Sequence, residues 1–219
     1  MGLAVLINGE SGAGKSASLR NFNKSEVLVF STHKTRLPFK SNINVVKMTN
    51  MSYLERYEVI KSRMKQYQDK VKTFVIDDSD YLMFFEQQQR SREGGYNKYV
   101  EIAEHMVDLK NYIETLNDDV IVYFLNHVEV DMNSGKSRAI TAGKMIDTQL
   151  GTFEALFEIV LFCTIVDGNH VFITNSDGTN TAKTSMGMFD ETTIDNDLKK
   201  VDAVIRDYYD LGGTEDAKE

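Results

Sequence analysis

Short, uninterrupted apolar runs recur along the 219-residue chain, and the segments between them carry apolar residues every three or four positions. Such runs are typical of strands buried on both faces of a parallel sheet, whereas the longer spacing is typical of helices. The predicted strands are residues 3–7, 27–30, 44–48, 73–76 and 120–125. Two later runs, 157–166 and 171–174, are joined by Asp167-Gly168-Asn169, which predicts an antiparallel hairpin at the sheet edge.

Helices are predicted between these strands. The first covers residues 15–22, and Asn50 or Ser52 caps the second, in which an apolar face recurs at helical spacing. A long helical region follows residue 78, and a last helix covers residues 196–209. Residues 129–144 are polar and without periodicity, which predicts a mobile surface loop. The apolar faces of the second and third helical regions are formed by Tyr53, Tyr57, Ile60, Met64 and Tyr67, and by Tyr99, Ile102, Ala103, Met106, Leu109, Ile113 and Leu116.

Strands that alternate with helices predict an α/β fold, because parallel neighbours need helical crossovers. We therefore expect a three-layer α/β/α sandwich with a mostly parallel central sheet and a C-terminal antiparallel hairpin. Residues 1–211 are predicted to form one domain, followed by an acidic disordered tail at 212–219.

The overall charge and hydropathy limit the classes of partner. No apolar run reaches the roughly 20 residues needed to cross a bilayer, and no secretory leader is evident, so we expect a cytoplasmic protein without a membrane segment. A net charge of −8 argues against a surface coated with basic residues for nucleic acid.

Cys163, the single cysteine, lies in an apolar run and is predicted to be a buried thiol.

Residues 9–16 carry the most specific motif of the chain. They match G-x-x-x-x-G-K-[ST], a phosphate-binding loop (P-loop), between a predicted strand and a predicted helix. Glycines allow backbone N–H groups to surround phosphate oxygens, Lys15 reaches the β- and γ-phosphates, and the Ser16 hydroxyl ligates Mg²⁺. The predicted ATP-binding residues are Gly9, Glu10, Ser11, Gly12, Ala13, Gly14, Lys15 and Ser16.

Polar residues at two strand ends complete the predicted catalytic site, because ligands bind at the carboxyl ends of parallel strands. Asp77 ends an apolar strand and is predicted to hold Mg²⁺ with Ser16. Asp78 is a candidate to orient the attacking water, although a helix N-cap or a turn former explains it equally well, and Glu10 is a weaker candidate. His127 follows the next strand, where it either senses the γ-phosphate or is simply solvated.

Two polar segments contain positively charged side chains. Lys136, Arg138 and Lys144 lie in the predicted loop, and Lys183 follows the predicted hairpin. In oligomeric ATPases such residues contact single-stranded DNA or a neighbour's γ-phosphate, whereas taken singly each is more often a solvated surface residue.

With these motifs placed, the chain resembles phage-encoded P-loop ATPases described as RecA-like or AAA-type nucleotide-binding proteins of the Sak type. The likeness covers nearly the whole chain, and the P-loop is its one specific motif. The matching segments are residues 9–16 continued by Ser16-Ala17-Ser18-Leu19-Arg20, then Leu37-Pro38-Phe39, Val75-Ile76-Asp77-Asp78, Tyr81-Leu82, Phe124-Leu125-Asn126-His127, Gly143-Lys144, Asn180-Thr181-Ala182-Lys183, Met186-Gly187-Met188-Phe189, Asn196-Asp197-Leu198 and Val201-Asp202.

The resemblance implies a RecA-like P-loop fold and a homo-oligomer that uses ATP and Mg²⁺ to bind or anneal single-stranded DNA during phage recombination and replication. It implies ATP and Mg²⁺ roles for Lys15, Ser16 and Asp77, a sensor role for His127, and an inter-subunit finger at Lys183. It also implies the cytoplasm of an infected bacterium and a phage single-strand-binding protein as a partner. RecA itself has a glutamate on the strand after the P-loop helix, where this chain has Val29-Phe30-Ser31-Thr32, so the catalytic base is left open.

Two other classes of protein could use the same P-loop. A nucleotide or small-molecule kinase would transfer the γ-phosphate to a substrate, but it usually has an arginine-rich lid that is not evident here. A nucleotide-gated assembly protein would use ATP to fix subunit contacts without DNA activity. A guanine-specific switch protein would need Asn-Lys-x-Asp, and Asn97-Lys98-Tyr99-Val100 lacks the acid.

Overall fold

The computed structural model describes residues 1–33 and 36–212, so residues 213–219 of the predicted tail lie outside the described residues. Ten strands are assigned in these ranges, and eight of them form one sheet. Their bounds are β1 (Leu3–Gly9), β2 (Val27–Ser31), β3 (Asn44–Lys47), β4 (Thr73–Asp77), β5 (Ile121–Asn126), β6 (Val128–Val130), β7 (Ser137–Ala139), β8 (Ile159–Val166), β9 (Asn169–Ile173) and β10 (Thr193–Asp195).

The main sheet has the strand order β10-β9-β8-β1-β5-β4-β2-β3. Every pair from β8 across to β3 is parallel, whereas β9 is antiparallel to both of its neighbours. The mostly parallel sheet and the β8–β9 hairpin are therefore confirmed. The hairpin does not form the edge, however, because the short strand β10, which was not predicted, pairs with β9 beyond it.

Helices cover both faces of the sheet. They are α1 (Tyr53–Tyr67), α2 (Asp80–Gln89), α3 (Asn97–Ile113), α4 (Met145–Leu150) and α5 (Leu198–Tyr208), with 3₁₀ helices at Ser16–Asn21 and Phe153–Leu156. Along β1, Ala4 and Leu6 face a core formed with α1–α3, and Val5 and Ile7 face a second core formed with α5 and the helix after the P-loop. This alternation confirms the three-layer sandwich, since successive side chains of a strand point to opposite faces.

Helix α1 begins at Tyr53 with Ser52 as its N-cap, one of the two predicted caps. The Ser52 side chain accepts a hydrogen bond from the Glu55 N–H, and Glu55 accepts one from the Ser52 N–H. This reciprocal capping box satisfies two backbone donors that the first helical turn leaves without partners.

Among the described residues, no helix combines the length and the apolar character that a membrane span requires.

One local prediction was wrong. Residues 129–144 are not a featureless loop, because β6 and β7 pair there as a second, two-stranded sheet and α4 follows at the end of the segment. These strands are short and polar, so their sequence carries no alternating pattern. The helix predicted after the P-loop is present over Ser16–Asn21, with 3₁₀ geometry, which winds more tightly than an α-helix.

Candidate active site

The P-loop connects β1 to the 3₁₀ helix and needs its glycines. Gly12 and Gly14 have φ angles of 83° and 109°, a region that side chains other than glycine rarely adopt. A Cβ at Gly9 would lie 2.5 Å from the carbonyl oxygen of Cys163 on the neighbouring strand. These positions bring the loop backbone around a cavity. The cavity is lined by Ser11, Gly12, Gly14, Lys15, Ser16, Ala17, Pro38, Asp78, His127 and His170.

Lys15 and Ser16 face this cavity from the end of the loop. The Lys15 Nζ donates to the carbonyl oxygens of Gly9 and Glu10 at 2.7 and 3.0 Å, which holds the lysine against the loop. The Ser16 hydroxyl donates to Asp77 Oδ1 at 2.7 Å, although 61 residues separate them. The structure therefore brings together the loop lysine, the loop serine and the carboxylate that ends β4.

Two side chains from neighbouring strands support the loop at Ala13. The Nδ1 of His170 on β9 lies 2.7 Å from the Ala13 carbonyl oxygen and must carry the hydrogen, because a carbonyl only accepts. The Cys163 thiol donates to the same oxygen at 3.2 Å. A Cβ at Gly14 would come within 2.9 Å of the His170 ring. His170 was missed at the sequence level, since no motif connects it to the P-loop.

Cys163 is a buried thiol, as predicted. Its burial is the main cause that raises the pKa of Cys163 to about 12, and the nearby Lys15 charge opposes this shift. The thiol therefore remains protonated at neutral pH. It also accepts a hydrogen bond from the Asn196 amide at 3.2 Å.

Asp78 lies between two histidines. Its carboxylate is 3.5 Å from Nδ1 of His33 and 3.6 Å from Nε2 of His127, and only 2% of its side chain is exposed. Its φ angle of 56° is left-handed, and the N-cap of α2 is Ser79, so the helix N-cap interpretation of Asp78 is wrong. His33 was missed at the sequence level, because no motif points to it.

His127 is held by acceptors on both sides of its ring. Its Nδ1 lies 3.1 Å from both oxygens of Asp80, while Nε2 faces Asp78. The neighbouring Asn126 accepts from the Ser79 hydroxyl at 2.9 Å and donates to the Ile140 carbonyl at 3.2 Å. His127 is thus an ordered residue of the cavity rather than a freely solvated strand end.

Comparison with known proteins places the chain in a family. Residues 1–186 match the AAA domain family. The chain belongs to the AAA domain family. No curated protein shows significant sequence similarity to it. A solved structure described as an ATPase domain matches with 18% identity and a TM-score of 0.45, covering 74% of this chain and 69% of that one.

The family and the P-loop together make this AAA-domain protein a nucleotide-binding P-loop ATPase. The residues present fit Mg-ATP: the positive-φ glycines leave the loop backbone open to phosphate oxygens. Ser16 and Asp77 offer the oxygen ligands that Mg²⁺ prefers, and phosphates and water usually supply the remaining ligands.

The cations predicted to contact DNA (Lys136, Arg138 and Lys144) and the predicted inter-subunit finger (Lys183) differ in their surroundings in this AAA-domain protein. Lys136, Lys144 and Lys183 are exposed. Arg138 instead forms ion pairs with Glu129 at 3.2 Å and Asp147 at 3.1 Å, so its charge is balanced within the chain. The backbone of Lys183 forms two 2.8 Å hydrogen bonds with Val160, which fixes the base of its side chain beside β8.

Proposed function

We propose that this AAA-domain protein binds and hydrolyses Mg-ATP and that, as a homo-oligomer, it acts on single-stranded DNA in phage recombination or replication. The observation that carries the ATPase mechanism is the contact between Ser16 and Asp77 at the mouth of the P-loop. The DNA, the oligomer and the cytoplasm of an infected bacterium rest on the resemblance to Sak-type proteins.

Each residue of the site has a proposed task. Lys15 would bind the β- and γ-phosphates with the loop N–H groups, and Ser16 and Asp77 would hold Mg²⁺, which neutralises phosphate charge when bound. Asp78 would orient and deprotonate the attacking water, with His33 and His127 holding its carboxylate in place. Gly9, Glu10, Ser11, Gly12, Ala13 and Gly14 would shape the nucleotide pocket.

Exposed lysines support the DNA part of the proposal. Lys136 lies next to β7 and Lys144 precedes α4, so both belong to the segment that follows β5. In a homo-oligomer such residues could line a shared groove and offset the negative charge of the whole chain. Lys183 would act as a finger on a neighbour's nucleotide. Arg138 would contribute less, because Glu129 and Asp147 already pair with it.

The deciding experiment measures phosphate release from ATP with and without single-stranded DNA, together with the mass of the oligomer. We expect DNA to raise turnover, Lys15→Ala to abolish it, and Lys144→Ala to lower the DNA stimulation more than ATP affinity. Lys24→Ala, an exposed lysine on another side of the fold, is the control. ATP-dependent oligomers without any effect of DNA would favour a nucleotide-gated assembly protein and overturn the DNA proposal.

A further inference from the structure

Glu154 is a buried carboxylate for which the proposed ATPase mechanism has no use. It lies in the 3₁₀ helix Phe153–Leu156 with 4% of its surface exposed. Its Oε1 accepts hydrogen bonds from the Asn8 side chain at 3.1 Å, the Ala139 N–H at 2.6 Å and the Thr181 hydroxyl at 3.0 Å. One oxygen atom therefore connects three segments that are distant in sequence.

The three donors lie at functionally different places. Asn8 immediately precedes the P-loop on β1, Ala139 ends β7, and Thr181 is two residues from Lys183. The Asn8 amide also donates to Thr181 Oγ1 at 3.3 Å, which closes a triangle of hydrogen bonds. The start of the P-loop is thereby connected by hydrogen bonds to both cation-bearing segments.

A second set of hydrogen bonds also connects the nucleotide edge of the sheet to the β6–β7 hairpin. Asn8 on β1 pairs in register with Asn126 on β5. Asn126 donates to the carbonyl of Ile140, the residue after Ala139, and the Ile140 N–H donates to the His127 carbonyl at 2.9 Å. Asn8, through Glu154, and Asn126, directly, are thus connected to two consecutive residues at the end of the β6–β7 hairpin.

Two acceptor atoms of the Glu154 network have no hydrogen-bond donor among the described residues. Within residues 1–33 and 36–212, neither Glu154 Oε2 nor Asn8 Oδ1 has a hydrogen-bond donor. A glutamine would offer the same acceptor to the three donors without the free-energy cost of burying a charge. Hydrogen bonds to a carboxylate are the stronger ones, however, so a charged Glu154 holds its three donors more firmly than an amide would.

From these contacts we propose that Glu154 is a positioning residue that couples nucleotide binding at the P-loop to the β6–β7 hairpin and the Thr181 segment. Nucleotide bound at residues 9–16 restricts the motion of Asn8. Because Glu154 accepts hydrogen bonds from Asn8, Ala139 and Thr181, the motion of Ala139 and Thr181 is restricted as well. The coupling rests on the ATP binding of the proposed function and is independent of its DNA part.

Hydrogen–deuterium exchange of the full chain, with and without Mg²⁺ and a non-hydrolysable ATP analogue, tests the coupling. In the wild type we expect the analogue to slow exchange in the P-loop, in residues 128–140 and in residues 176–183. The effect on the last two segments should be about tenfold, the size of one hydrogen bond to a charged group. In Glu154→Ala the P-loop should still respond while the other two segments do not, and Glu154→Gln should give an intermediate response.

Glu158→Ala, an exposed glutamate four residues further on, is the matched control and should respond like the wild type. If Glu154→Ala does not fold, the same measurement is made on Glu154→Gln and Thr181→Val. Each of these changes weakens the hydrogen bonds among Asn8, Glu154 and Thr181 without removing all of them. Protection confined to the P-loop in the wild type, or an unchanged response in the Glu154 variants, overturns the coupling alone. Absence of protection at the P-loop itself overturns the proposed nucleotide binding, and the coupling with it.

Discussion

The Ser16 hydroxyl donates to Asp77 Oδ1 at 2.7 Å, so the end of the P-loop and the end of β4 meet directly. Strand order produces this contact. β5 lies between β1 and β4 in the sheet, so the hydrogen bond from Ser16 to Asp77 reaches past the end of β5. A hydroxyl and a carboxylate offer the kind of oxygen atoms that Mg²⁺ prefers as ligands, which is the basis of the proposed Mg²⁺ site.

Asp77→Asn tests this pair by removing the negative charge while keeping an oxygen that can accept from Ser16. We expect ATP turnover to fall by about 100-fold, because an electrostatic stabiliser of this kind is usually worth at least that factor. The Mg²⁺ concentration for half-maximal turnover should rise as well. A Mg²⁺ titration of phosphate release checks both effects, and wild-type turnover in Asp77→Asn would remove Asp77 from the site.

Asp78→Asn tests the proposed water-orienting residue. Asparagine also tolerates the left-handed backbone found at Asp78, so the fold should survive. We expect kcat for ATP to fall by about 100-fold with little change in nucleotide affinity, as for the loss of a general base. Steady-state kinetics with Glu10→Gln as the comparison decides between the two acids. Loss of kcat in Glu10→Gln alone would assign the base to Glu10 instead.

Cys163 should not react with thiol reagents in the folded protein. Burial raises the pKa of Cys163 to about 12, so the reactive thiolate is scarce at pH 8 and the sulfur is inaccessible. A colorimetric disulfide reagent should therefore label no thiol in native protein and one per chain in guanidinium. Native labelling as fast as that of a free thiol would contradict the burial of β8.

Tyr123 makes the stability of the protein sensitive to alkaline pH. Burial first, and then the Asp202 charge, raise the pKa of Tyr123 well above 10 in the folded state. The unfolded chain loses this proton near pH 10, so the stabilising contribution is complete below pH 10 and is lost as the pH rises further. The free energy of unfolding should then fall by up to about 1.4 kcal/mol per pH unit for this group.

Urea melts between pH 8 and 11 measure this decline. Tyr123→Phe should show a shallower decline and should also lose about 1 kcal/mol at pH 8, because the Tyr123 hydroxyl hydrogen-bonds to Asp202 at 3.0 Å. The exposed Tyr96→Phe serves as the control and should follow the wild type. Equal slopes in all three proteins would show that Tyr123 ionises as readily in the folded state as in the unfolded one.

The amino-acid sequence by itself determined the strands of the main sheet other than β10, the apolar helix faces and the nucleotide loop. Strands buried on both faces need continuous apolar runs, and a P-loop is one contiguous segment, so both are readable locally. Asp77 and His127 were also predictable, since the carboxyl ends of parallel strands share one edge. The β6–β7 hairpin was not, because its strands are short and polar and are held by Glu154 and Asn126.

Only the tertiary structure decided which distant side chains surround the loop. His170 reaches Ala13 because β9 lies two strands from β1, and His33 faces Asp78 because β2 lies beside β4. Glu154 joins Asn8, Ala139 and Thr181 although they lie in three separate segments. Such contacts depend on strand order and register, which arise from the packing of the whole sheet and leave no periodic signal in the sequence.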